Sequence, residues 1–243
     1  MNKPTIFQAS QLSPAVVNHA VKICFLTVTL VQGVWPGMTQ ATPSQVAFGA
    51  YTSFQVNVDS DGQNIVGDRG NEPTIVINPN NSANIVIGWR KFSVPVTTGP
   101  QAGYAHSHDG GSTWNVGELP ALSGQARTDP ALDVDSSGNF YYQSMAHGGG
   151  YGDSTSVFKS SDGGMSWNVP VRQFGGDKNW IAIDRTGNTS DGFIYGTWSA
   201  ATDPDPKYFV RSIDQGASYQ QPEEIMPVYF GFNRIAIGPE AQV

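Results

Sequence analysis

The stretch that decides the fold is Ser107-His108-Asp109-Gly110-Gly111-Ser112-Thr113-Trp114. Its pattern, Ser-x-Asp-x-Gly-x-(Ser/Thr)-aromatic, returns at Ser160-Ser161-Asp162-Gly163-Gly164-Met165-Ser166-Trp167 and at Ser212-Ile213-Asp214-Gln215-Gly216-Ala217-Ser218-Tyr219. Asp109, Asp162 and Asp214 follow one another at 53 and 52 residues. A single match carries little weight, but three at a nearly constant period mark a repeat array. The motif has the chemistry of a tight turn. The Asp side chain accepts backbone N–H groups just ahead of it, and Gly supplies the positive φ of the reversal. The aromatic residue then opens the next strand.

The segments around each turn repeat as well. Thr74–Asn78, Ile85–Trp89 and Ala102–His106 are short apolar runs, separated by turns, that lead into the first motif. Ala131–Val134, Phe140–Gln143 and Ser156–Lys159 lead into the second, and Trp180–Ile183, Phe193–Gly196 and Lys207–Val210 into the third. Runs rich in Val, Ile, Tyr and Phe bounded by Gly, Asn and Asp predict strands. Each unit therefore predicts four short antiparallel strands, which is one blade of an all-β propeller. The predicted blades are 68–120, 121–173 and 174–228. Residues 229–243 begin a fourth, because Arg234-Ile235-Ala236-Ile237 restates the opening of a unit. Propellers close with about 4–8 blades, so three and a beginning predict an incomplete ring. Its open edges call for missing blades or self-association.

The bulk composition agrees. The chain has 28 Gly among 243 residues and only 14% charged residues, which suits turn-rich β structure. Its net charge of −7 argues against a nucleic-acid partner, which needs clustered Lys and Arg. The N-terminus differs from the rest. No Asp or Glu precedes Asp59, and Lys22 leads into the apolar run Ile23–Val31. Residues 1–41 read as a secretory signal peptide, with an uncleaved apolar leader as the alternative. The run is short for a membrane span. Its removal would take away Cys24, the only cysteine, and leave a secreted chain with no disulfide. Residues 42–67 form an N-terminal strand and hairpin segment.

These turns at this spacing are Asp-box-like, and residues 68–243 resemble the sialidase-like propellers, also called BNR-repeat proteins. The strand openings Asn71–Pro79, Arg127–Asp135 and Asp177–Asp184 look like those of secreted bacterial members. The resemblance implies a glycoside hydrolase-related protein acting on glycans, of exo-acting sialidase-like type if it is an enzyme. It also implies that Asp109, Asp162 and Asp214 are structural and lie at the blade periphery. Sialidases clamp the substrate carboxylate with three arginines and use a Tyr–Glu nucleophile pair and an acidic Asp. Arg69-Gly70-Asn71-Glu72-Pro73 is a loose echo of the family's Arg-Ile-Pro signature, and a complete sialidase site cannot be assembled from this chain.

The four-strand meander sorts the loops by face. The Asp turns join the third and fourth strands, so a site belongs on the opposite face. Leading into the first strands are Arg69 and Glu72, then Arg127 and Asp129, then Asp177 and Lys178. At the far ends of the second strands are Arg90 and Lys91, His147 with Tyr151, and Asp203 with Asp205. Asp129, Asp177 and Glu72 are the candidate catalytic carboxylates. Arg69, Arg90, Arg127, His147 and Lys178 are the candidate substrate ligands, suited to an acidic sugar. The alternative is that these residues cap strand ends and pair with one another. Asn57, Asp59 and Asp61 resemble a calcium loop or, alternatively, an ordinary hairpin turn. No other cofactor is expected. The competing expectations are a glycan-cleaving propeller, a non-catalytic propeller that binds glycan or protein on the same face, and an inactive remnant.

Overall fold

The computed structural model describes residues 45–92, 99–120, 125–148, 154–199, 207–224 and 234–243. The expected signal peptide, Tyr151, Asp203 and Asp205 lie outside the described residues. The described chain is all-β. After a hairpin of β1 (Gln45–Phe48) and β2 (Tyr51–Phe54) come three antiparallel meanders in chain order. The first is β3 (Arg69–Ile77), β4 (Ile85–Phe92), β5 (Gln101–Ser107) and β6 (Asn115–Glu118). The second is β7 (Gln125–Val134), β8 (Phe140–Gly148), β9 (Ser154–Ser160) and β10 (Val171–Phe174). The third has three strands, β11 (Trp180–Ile183), β12 (Ile194–Thr197) and β13 (Phe209–Ser212). A lone bridge from Phe209 to Glu223 stands where its fourth strand is expected. This is a propeller of consecutive blades in an unclosed ring.

The three Asp turns are built alike. Asp109 Oδ1 accepts the N–H of Ser112 at 3.0 Å and of Thr113 at 2.9 Å, and its Oδ2 accepts the Thr113 hydroxyl at 2.6 Å. Ser107 donates to Asp109 at 2.8 Å and accepts the Gly111 N–H at 2.9 Å. Asp162 and Asp214 each accept an N–H and a hydroxyl, from Ser166 and Ser218 respectively. The Thr113 hydroxyl and the turn amides hold the Asp109 carboxyl down at about 2. The second and third turns also meet the preceding blade. A Cβ on Gly164 would stand 2.7 Å from Val86 and 3.0 Å from His106, so only glycine allows that approach.

Aromatic and branched side chains fill the joints. Val86, Val134 and Phe140 pack between the first and second blades, with Leu132 and Trp167 against them. Tyr141, Val157, Ile181, Ile183 and Ile194 pack between the second and third. Tyr142 is fully buried at the first joint and donates to the carbonyl of Gly103 at 3.0 Å. The outer face of the first blade is covered from the N-terminal side, where Val56 packs on Ile87, Trp89 and Ala105.

Asp59 accepts the N–H of Asp61 at 3.0 Å and of Gln63 at 2.8 Å, while Val58 bridges Asn64. Asn57 and Asn64 both accept from the Gln55 amide. The segment has the geometry of a hairpin turn, with the Asp59 carboxylate engaged on turn amides.

Candidate functional site

The strand openings of the three blades share one irregularity. The β3–β4 register shifts between Asn71 and Thr74, and the β7–β8 register shifts between Thr128 and Ala131. Within these bulges Glu72 has φ 54° and Asp129 φ 51°. Lys178, two residues before β11, has φ 55°. Each of the three stands two residues before its strand resumes regular pairing. Left-handed φ costs a residue with a Cβ roughly 1–2 kcal/mol. Such strain persists where the surroundings hold it, and it clusters at functional sites. Pro73 and Pro130 lie within the first two bulges, and Pro is tolerated in strands at bulges because no ladder N–H is needed there.

The bulges bring the three side chains to one place. Lys178 Nζ lies 3.5 Å from Glu72 Oε1 and 3.7 Å from Asp129 Oδ1, so one ammonium joins the carboxylates of two blades. Arg90 reaches the same Glu72 oxygen at 3.5 Å and stacks 4.9 Å over Phe92. Asp129 is 8% exposed. It accepts the Thr128 hydroxyl at 2.8 Å and the Lys178 backbone N–H at 2.9 Å. Beneath it the Asn179 amide donates to the Asp129 carbonyl at 3.0 Å and to Gln143 at 2.8 Å. Gln143 in turn donates to Gln173. These three amides are buried and form a polar floor.

Asp177 completes the cluster. Its carbonyl accepts the Ser199 N–H at 2.9 Å, and its carboxyl is hydrogen-bonded to Asp129. Two neighbouring carboxyls cannot both ionise cheaply, so their affinities for a proton separate. Burial raises Asp177, and the hydrogen bond and charge of Asp129 raise it further, against the opposing pull of Lys178. Burial also pushes Asp129 up, but the hydrogen bonds from Asp177, Lys178 and Thr128 and the Lys178 charge outweigh it, and the group ends low. Asp177 is therefore the member of the pair that gives up its proton later, and Asp129 the one that ionises first. Asp177 is also the more exposed of the two.

Of the residues singled out in the sequence, Glu72, Asp129, Asp177, Lys178 and Arg90 converge. Three further described candidates, Arg69, His147 and Arg127, are placed differently. Arg69 is exposed at the start of β3, and His147 is exposed near the end of β8. Arg127 is 1% exposed, with its guanidinium 4.8 Å over the Phe158 ring, so it lies in the blade interior and not on the open face. Thr128, Gln143, Gln173, Asn179 and Ser199 were not visible as site residues, since an isolated amide or hydroxyl in a sequence gives no sign of burial. No cluster of three or more His, Cys, Asp or Glu suited to a metal occurs among the described residues.

These features define an all-β propeller array with a carboxylate-rich cluster spanning three blades. No protein-family model and no curated protein matches the chain. Solved structures do. A putative exo-β-1,3-galactanase from Bifidobacterium bifidum aligns at 15% identity with TM-score 0.48, over 73% of this chain and 58% of that one. An α-L-arabinanase from Penicillium chrysogenum, complexed with arabinobiose, aligns at 12% identity with TM-score 0.47, over 63% and 44%. A Trypanosoma rangeli sialidase aligns at 13% identity with TM-score 0.32, over 68% and 40%. The chain spans less than two thirds of the length of each.

Proposed function

We propose that this chain carries the substrate face of a secreted, glycoside hydrolase-related propeller of sialidase-like repeat type that acts on glycans. The observation that carries the proposal is the hydrogen-bonded Asp177–Asp129 pair, in which the proton affinity of one carboxyl is raised and that of its neighbour lowered. Glycosidic cleavage needs an acid that stays protonated near neutral pH and a second carboxylate nearby. Asp177 would give its proton to the glycosidic oxygen as the leaving group departs. Glu72, across Lys178, would take a proton from the attacking water, so that water is added across the bond. Asp129 would hold the Asp177 proton in place and stabilise developing positive charge on the sugar. Lys178 and Arg90 would orient Glu72. The chemistry uses side chains alone and calls on no cofactor.

The test is release of a fluorescent aglycone from a panel of glycosides, the sialoside among them. D177N should lower the rate by about 10²–10⁴-fold, the range for losing a general acid. Equal release by D177N and the parent chain refutes the assignment of Asp177. No release from any member by the folded chain refutes hydrolysis. A non-catalytic glycan binder is the second reading. It is favoured by the engagement of both Asp129 oxygens, with Thr128 and with the Lys178 N–H, which is how a structural carboxylate is used.

A further inference from the structure

We infer that the ligand of this face is a neutral glycan and not a sialylated, uronic-acid-bearing or sulfated one; the inference rests on the glycan-acting reading above. It follows from how the cations of the cluster are already used. An acidic sugar is held by Arg or Lys donors that are desolvated, preorganised and free to form charge-assisted hydrogen bonds. In the described cluster the cations face carboxylates instead. Arg90 lies 3.5 Å from Glu72, and Lys178 lies within 3.7 Å of both Glu72 and Asp129. Beside Arg90 on β4, Lys91 lies 3.2 Å from Glu118, with Asp68 close enough to feel its charge. Arg127 is shut inside the second blade.

A sugar carboxylate entering here would have to pull Arg90 or Lys178 off Glu72, leaving that glutamate short of a partner. It would also meet the negative charges of Glu72 and Asp129 at close range, and like charges in a partly buried site repel strongly. Arg69 at the rim is exposed, and a solvent-exposed ion pair contributes little. The same arrangement suits sugar hydroxyls. Glu72 and Asp129 are acceptors, while Asp177, Lys178 and Arg90 are donors held in known directions by their neighbours. Adjacent hydroxyls of a neutral ring can bond to such a set without displacing any pair.

The experiment is binding of the full chain to immobilised oligosaccharide pairs that differ only in charge. Neutral galactosyl, arabinosyl and glucosyl chains are set beside their sialylated, uronic-acid and sulfated counterparts. Neutral members should bind at least about tenfold more tightly than their acidic partners. Raising the salt concentration should leave neutral binding nearly unchanged. E72Q frees Arg90 and Lys178, so it should weaken neutral binding and improve acidic binding, with a thermal melt confirming that the variant is folded. Tighter, salt-sensitive binding of an acidic member by the parent chain overturns the inference and leaves the glycan reading standing. Binding of no member of either class by the folded chain overturns both.

Discussion

Replacing Gly88 by Ala tests the joint that sets Glu72 beside Asp129. Gly88 lies on β4 of the first blade and faces Tyr142 of the second. A Cβ at Gly88 would fall 2.6 Å from Tyr142 Cε2, 2.9 Å from Cζ and 3.1 Å from the hydroxyl. Carbon atoms pack at about 3.5–4.0 Å, so the ring must move by roughly 1 Å or the blades must part. Tyr142 has no room to retreat. It is fully buried, its hydroxyl donates to Gly103, and Trp167 stands edge-on with ring centroids 5.8 Å away. Overpacking of this kind costs about 1–3 kcal/mol, and losing the buried hydroxyl bond adds about 1–3 kcal/mol. G88A should therefore destabilise by ~2–6 kcal/mol. At about 2–4 °C per kcal/mol for a domain of this size, the melting temperature should fall by ~4–24 °C. The assay is urea and thermal unfolding followed by tryptophan fluorescence and circular dichroism. Y142L removes the obstructing ring, so G88A/Y142L should be more stable than the sum of the single effects predicts, by ~1 kcal/mol or more. A G88A protein within ~0.5 kcal/mol of the parent, or strict additivity in the double variant, would refute the stacked joint.

Other outcomes follow from the titrating groups. Any activity that needs protonated Asp177 should decline as pH rises through its raised pKa, and the need for ionised Asp129 should cut activity at the acid end, giving a bell-shaped profile whose limbs D177N and D129N remove separately. D129N should also destabilise by about 1.5–3 kcal/mol, because the Lys178 N–H and ammonium lose a charged acceptor, and urea titration at neutral pH will show it. His106 is buried at the first joint, where burial and neighbouring His108 lower its pKa against the pull of Asp162. A depressed histidine contributes stability above its unfolded value near 6.5 that is lost as pH falls, so H106Q should flatten the stability curve between about pH 7 and 5. The Asp-turn carboxylates are held low by local hydrogen bonds, so their contribution is present above about pH 4 and is lost as pH falls towards the folded pKa, about 2 for Asp109. D109A and D162A should each lower the unfolding midpoint at neutral pH and make acid unfolding less steep. A midpoint unchanged in either variant would contradict the hydrogen bonding described.

The Asp turns were legible in the sequence because their bonds run between residues two to four apart, so the chemistry of the turn is written in consecutive letters. The three-blade meander followed from their period and from the apolar runs between them. The Ile235 segment also read as the start of another unit, and it lines a cleft of about 420 Å³ with Ile181, Ile183 and Asp133. Strand ends were less legible. The apolar runs predict first strands that begin at Thr74 and Ala131, just after Pro73 and Pro130. Pairing in fact resumes beyond the bulges and extends back to Arg69 and Gln125. Proline removes a ladder donor but does not end a strand that can bulge around it.

The sequence by itself also determined which residue types stand at the strand openings: a Glu, two Asp and a Lys, near two Arg. Only the tertiary structure decided what they do there. Lys178 meets Glu72 because blades far apart in sequence turn their bulges towards one centre. The proton affinities of Asp177 and Asp129 move apart because burial and a hydrogen bond place the two together. Arg127, two residues from Asp129 on the same strand, stacks inside the blade on Phe158. Spacing along the chain orders residues within a blade. Charge pairing, burial and proton affinity depend on distances between blades, which no local pattern encodes.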